Sequence, residues 1–143
     1  EKGSHERIVM IHAAIMGAIE RFLSIFIEHH AGLFPLWVAP TQVGIIPVAG
    51  THEDYARDIE EKLKAAGIRT KFFDHTESLG KRIREGETWK IPYLIVMGDN
   101  EVDAKSVTVR NVTTKKQVVV SVSEFIDRTV EDVGERRLKA SIG

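Results

Sequence analysis

The sequence predicts an α/β fold with a central mixed five-stranded sheet and three helices, preceded by a strand–helix segment. Three observations carry this. From residue 41 to 134 the apolar period switches between two and about 3.6 residues in the order β-α-β-α-β-β-β-α, which means a sheet with parallel members and covering helices. The run Ile91–Met97 is strongly apolar, the mark of a strand covered on both faces. Two more β-like runs follow it with no helix between them, so the sheet closes on an antiparallel hairpin.

The elements follow in order. Arg7–Ile11 (RIVMI) is a short apolar, β-branched run and reads as a strand. From Ile15 the spacing of Ile15, Ile19, Phe22, Leu23, Phe26 and Ile27 is helical, and the helix should stop near Ala31–Gly32. Residues 33–42 carry Pro35 and Pro40 and read as an ordered connector, packed through Phe34 and Trp37. Val43–Val48 is a strand. Thr51 is a suitable N-cap for a helix running to about Ala66, with Tyr55, Ile59 and Leu63 as its inward stripe and Gly67 as its stop. Ile68–Phe73 is the second strand, Ser78 to Trp89 the second helix, and Ile91–Met97 the third strand. Gly98–Glu101 reads as a turn, and Lys105–Arg110 and Gln117–Val122 as a hairpin. Ser123 opens a last helix with Phe125, Ile126 and Val130 inward, and the charged tail from Gly134 should fray.

Composition narrows the function. The 143 residues, 43% hydrophobic and 29% charged, suit one globular domain, or one domain with an attached piece. With no cysteine, disulfides, thiolate zinc sites and cysteine nucleophiles are excluded within this chain. No apolar run approaches the roughly 20 residues of a membrane span. The polar, mixed-charge start does not read as a signal peptide, so a cytoplasmic location is expected. Twenty basic and 21 acidic residues leave a net charge of −1, which gives no bulk attraction for nucleic acid; such a role needs a local patch.

Few residues stand out as chemistry. No nucleophile elbow, phosphate-cradling loop or paired-carboxylate motif is legible. His29 and His30 are adjacent on a helix and point apart, so they are not a metal pair. His12 ends an apolar run, where an imidazole needs a partner; a hydrogen-bonded core histidine and a ligand both answer. Arg21 on the first helix suits either a phosphate or carboxylate contact or a solvated helix face. Residues 81–116 hold eight basic and five acidic side chains, a local excess of three positive charges. A surface with arginines, Trp89 and Glu101 has the groups that read an unstacked base: arginine for acceptors, carboxylate for donors, a ring for stacking.

The segments together resemble a known family. Val9–Phe22 (VMIHAAIMGAIERF) resembles motif 3 of threonyl-tRNA synthetases, and residues 31–40 (AGLFPLWVAP) are similar to that family's connector. Ala66–Arg69 (AGIR), Gly80–Glu85 (GKRIRE), Ile91–Leu94 (IPYL) and Gly98–Val102 (GDNEV) resemble its anticodon-binding domain. The resemblance implies three parts: residues 1–32 as the motif 3 end of a catalytic domain, 33–40 as connector and 41–143 as anticodon-binding domain. It implies that Thr76, Arg84, Lys90, Glu101 and Arg110 face the anticodon loop of threonine tRNA, whose second and third bases are G and U. Glu101 would accept from the guanine edge, and Arg84 and Arg110 would hold bases or backbone. His12 would be one of three zinc ligands, the other two lying outside this chain, and Arg21 would contact ATP. ATP-dependent threonylation, with zinc and ATP–Mg, then belongs to the intact, homodimeric enzyme. The chain alone should be catalytically inert with no cofactor bound, and neither DNA nor a membrane is an expected partner. This chain departs from the family pattern at Ile8, Ala13, Ala18, Thr76 and Lys90, which stand for proline, arginine, serine, asparagine and arginine. The alternative reading is an anticodon-domain-like protein-binding or regulatory module outside translation.

Overall fold

The computed structural model describes residues 3, 7–13 and 17–143. Helix α1 is Ile19–His30; the expected start at Ile15 lies outside the described residues. Strand β1 is Val43–Pro47, followed by a single 3-10 turn, Gly50–His52, and helix α2, Glu53–Ala65. Strand β2 is Thr70–Phe72, α3 is Leu79–Thr88, β3 is Tyr93–Met97 and α4 is Asp99–Asp103. Strands β4 (Ser106–Asn111) and β5 (Gln117–Ser121) and helix α5 (Val122–Gly134) complete the order.

The five strands form one sheet in the order β2-β1-β3-β4-β5. β1 runs parallel to β2 and β3, and the pairs β3–β4 and β4–β5 are antiparallel. The chain leaves β1 in one direction along the sheet to make β2, then crosses back to make β3. Crossovers of a single hand taken in opposite directions put their helices on opposite faces. Accordingly, Ile59 and Leu63 of α2 and Phe125 of α5 pack with Val43, Ile45, Tyr93, Ile95, Val107 and Val109 on one face. On the other, Leu79 and Ile83 of α3 pack with Ile46, Phe73 and Leu94.

The approach of α3 to the sheet is very close. A Cβ on Gly86 would stand 2.5 Å from Cδ2 of Leu94, and one on Gly44 would stand 2.6 Å from the same methyl. Leu94 is fully buried, so that methyl has no free space to retreat into. Arg82, also buried, fixes α3 further: its Nη1 donates to the carbonyl of Pro47 and its Nη2 to that of Val48, the latter at 3.1 Å.

Several expectations are corrected. Arg7–Ile11 is not a strand; its apolar side chains are exposed, Ile11 by 90%, and among the described residues no strand pairs with it. A β-run without a neighbour leaves its backbone donors and acceptors unpaired. Thr51 does not cap α2. His52 takes the place before the helix instead, its buried ring accepting from the Ala49 N–H at 3.1 Å and bonding Asp99 Oδ1 at 2.9 Å. Gly98–Glu101 is not a plain turn but leads into α4, with Glu101 at its third position. Ser121, not Ser123, caps α5. Val130 is exposed, and the inward sector runs Phe125, Thr129, Asp132. The tail does not fray. Ile142 is buried, its N–H donates to the Tyr93 hydroxyl at 3.0 Å and its carbonyl accepts from Asn111 Nδ2 at 2.9 Å.

Gly86→Ala tests the helix–sheet contact. In an exposed helix this change stabilises, because alanine has the higher helix propensity. Here overpacking against Leu94 should dominate and cost about 1–3 kcal/mol. A lowered midpoint in urea unfolding is expected; an unchanged or raised one shows that Leu94 yields without strain.

Candidate functional site

Among the described residues α3 is the one long helix packed on its face of the sheet, which leaves part of that face uncovered. β4 alternates Val107 and Val109 into the core beneath α2 and α5. The two-residue period of a strand therefore turns Thr108 and Arg110 to the side of α3. The register places Thr108 between Val96 and Val119, and Arg110 between Leu94 and Gln117. Val119 is 63% exposed there, so among the described residues no helix covers it.

Charged side chains line the edge of this open area. Glu87 of α3 accepts from Arg110 through one oxygen, with Nε at 3.0 Å and Nη2 at 2.8 Å, and Lys115 Nζ stands 3.4 Å from the same oxygen. The Arg110 guanidinium holds the Glu87 carboxyl below the usual carboxylate range. Arg84 lies three residues before Glu87, hence on the same flank of the helix. It is exposed and makes no ion pair among the described residues. Glu101 of α4 is held at both oxygens: Oε2 accepts from the Gly98 N–H at 2.8 Å, and Oε1 from the Thr108 hydroxyl at 2.7 Å. The first bond is half of a capping box, since glycine has no side chain to reciprocate. The Thr108 hydrogen bond is the main reason the Glu101 carboxyl also stays below the usual range. Glu101 and Arg110 thus share one region, Glu101 tied to β4 through Thr108 and Arg110 to α3 through Glu87, with Arg84 one turn before Glu87 on the same helix. Sequence reasoning singled out neither connecting residue. The strand alternation carried a signal for Thr108, and the spacing from Arg84 carried one for Glu87.

Other sequence candidates lie elsewhere. Thr76 sits in the loop after β2, with both its N–H and its hydroxyl given to Asp74 Oδ1, in a hollow of about 240 Å³ with Lys71, Arg82 and Glu85. That is the flank of α3 turned to β2. Trp89 belongs to the same flank: Lys71 Nζ stands 3.4 Å from its ring centroid and 3.0 Å from Glu85. Lys90 follows α3 in a left-handed conformation with φ of 57° and packs against Gly32. Among the described residues no hydrogen bond or ion pair joins the side chain of Thr76 or Lys90 to the Arg110 group. His12 and Arg21 are both exposed, and α1 has no buried residue. Among the described residues no cluster of three or more histidine, aspartate or glutamate side chains could hold a metal.

The arrangement sets a hydrogen-bond donor, Arg110, and an acceptor, Glu101, beside the apolar side chains of Val96 and Val119. Arg110 keeps Nη1 and part of Nη2 for an acceptor, and each oxygen of Glu101 keeps a lone pair for a donor. A carboxyl depressed in the folded state stabilises the fold above its unfolded pKa of about 4.3, and that contribution disappears as pH falls through the lower folded value. The stability difference between wild type and Glu87→Gln should therefore be constant from pH 7 to about pH 5 and shrink below pH 4.3. Urea unfolding across that range measures it, and a pH-independent difference would mean that the Glu87 charge does not stabilise Arg110.

Residues 42–132 match the family described as Anticodon binding domain. The threonine–tRNA ligase of Carboxydothermus hydrogenoformans is 42% identical over 137 residues, which cover 96% of this chain and 22% of that protein. The threonine–tRNA ligase of Listeria monocytogenes is 43% identical over 136 residues, covering 94% and 21%. The crystal structure of the RNA binding domain of threonyl-tRNA synthetase from Cryptosporidium parvum superposes with a TM-score of 0.78 at 27% identity, covering 91% of this chain and 32% of that one. The chain spans about a fifth of the length of these bacterial relatives. With the mixed sheet matched across nearly its whole length, this chain belongs to the anticodon-binding domain family.

Proposed function

We propose that this domain reads the anticodon loop of threonine tRNA as the recognition part of a threonine–tRNA ligase. The observation that carries the reading is the open half-face of the sheet, where Arg110 and Arg84 offer donors beside Glu101, an acceptor. An unstacked guanine presents N1–H and 2-amino donors to a carboxylate and its O6 to an arginine, whereas adenine has an acceptor at N1 and no 2-amino group, so a carboxylate on that edge discriminates the two. The relatives' shared name favours this over a protein-binding module outside translation. Thr76 and Lys90, apart from that group, take positions further along the RNA, where phosphate contact is the simplest role for the lysine.

The chain's own work in this reading is binding. ATP-dependent threonylation takes place in the parts of the ligase that this chain does not span. Arg21 contributes an ATP contact there, and His12 a single zinc ligand that needs two more from outside these residues. The intact enzyme is a cytoplasmic homodimer in this reading. Among the described residues no helix is long and apolar enough to cross a membrane.

Binding of the purified chain to two anticodon stem-loops tests the proposal. One carries G and U at the second and third anticodon positions, and the other has these two exchanged. Each well-made base contact is worth about 1–3 kcal/mol, so a preference of roughly 5- to 150-fold is expected. Glu101→Ala should abolish most of it. Equal binding that weakens alike with added salt would indicate phosphate contacts alone and defeat the reading.

A further inference from the structure

The Glu101 carboxylate is unusually constrained for a side chain at the surface. It sits on a helix of only five residues, and a free glutamate there would sample several rotamers. Instead each of its oxygens has its own donor, one from the backbone at Gly98 and one from the Thr108 hydroxyl. The two donors come from different elements. The Gly98 N–H belongs to the same turn as Glu101 and moves with it. Thr108 is in the middle of β4, hydrogen-bonded into the sheet between β3 and β5. Thr108 is therefore the bond that ties the carboxylate to the rigid part of the fold. It also lies two residues before Arg110 on the same face, so one strand sets the spacing between the acceptor and donor readers.

We infer that Thr108 is a positioning residue for base selection: by donating to Glu101 Oε1 it holds the carboxylate in the orientation that accepts from a guanine edge. Its single hydroxyl proton is committed to Glu101, so Thr108 offers RNA nothing but acceptor lone pairs. Guanine preference then depends on a residue that need not touch the base. This rests on the anticodon reading above and extends it to a residue outside the expected contact set.

Thr108→Val and Thr108→Ser test it. Valine matches threonine in shape and strand preference and lacks only the hydroxyl; serine keeps the hydroxyl. The readout is the ratio of affinities for stem-loops with guanine or adenine at the second anticodon position, adenine lacking the N1–H and 2-amino donors. Thr108→Val should reduce the wild-type ratio about tenfold while leaving the salt dependence unchanged, since no phosphate contact is lost. Thr108→Ser should retain the ratio. Circular dichroism and the unfolding midpoint establish that both variants are folded. A valine variant with the wild-type ratio overturns the inference, as does equal weakening for both loops, which marks a structural role only, or a serine variant that behaves like valine. Glu101→Ala separates the two levels of the argument. If it removes the ratio and Thr108→Val does not, only this inference fails. If wild type itself shows no ratio, the anticodon reading fails and this inference with it.

Discussion

The distance between α3 and the sheet is set by what two residues lack. Gly44 on β1 and Gly86 on α3 both abut the δ2 methyl of Leu94, and a side chain on either would collide with it. Only at this short spacing does Glu87, one residue on from Gly86, reach Arg110 across on β4. Arg82 fastens the first half of the same helix to the end of β1. Among the described residues its guanidinium is buried on carbonyl oxygens with no carboxylate in contact and its Nε has no partner; burial lowers its pKa, against the more distant charges of Asp74 and Glu53. Burying a charge without a counter-ion is unfavourable. The fold carries that cost where it aligns the helix that presents Arg84 and Glu87.

A helix held this tightly cannot also shield β4 and β5. On the opposite face two helices, α2 and α5, share the covering of the sheet, so the fold is asymmetric by construction. The uncovered half is not a defect in packing. Its floor is β-branched, its polar groups are hydrogen-bonded to one another, and its two carboxylates are both ionised at neutral pH. Such an area can receive a flat aromatic ring and satisfy its edge without the protein having to rearrange, which keeps the ordering cost of binding low.

What the sequence made legible follows from the range of the forces involved. From residue 41 to 134 the order of strands and long helices is written in local periodicity, and the structure carries it, because there each strand and long helix turns an apolar side inward. Short and long-range features lack such a signal. α4 is too brief for a helical period to emerge between Gly98 and Ala104. The last helix misleads for another reason. Choosing apolar residues selects Val130, whereas the sector fixed by Phe125 continues through Thr129 and Asp132. These are tolerated inside because Thr129 donates to the Phe125 carbonyl and Asp132 receives Arg137 and the Ser141 N–H. The docked tail depends on Tyr93, 49 residues before Ile142, which no window along the chain can reveal. For the site, periodicity and composition made the types of residue legible, and it took the family resemblance to group Arg84, Glu101 and Arg110. Arg84, Glu101 and Arg110 converge only because β4 folds back beside β3.

Counting charges shows the same limit in electrostatic terms. The excess of three positive charges over residues 81–116 is correct as a sum and misleading as a surface. Arg82 is buried, Lys81 pairs with Glu77, and Arg110 and Lys115 both lie against Glu87. Among the described residues, Arg84, Lys90, Lys105 and Lys116 are the exposed cations of this stretch without an acidic partner. A chain with net charge −1 and so few unpaired cations generates little long-range attraction for a phosphate backbone. Any selectivity it has must come at short range, from groups whose directions are fixed before the ligand arrives. An arginine restrained by Glu87 and a carboxylate restrained at both oxygens are such groups. In the anticodon reading proposed above, the pairing that hides their charge from distant nucleic acid also fixes the directions in which they meet a base.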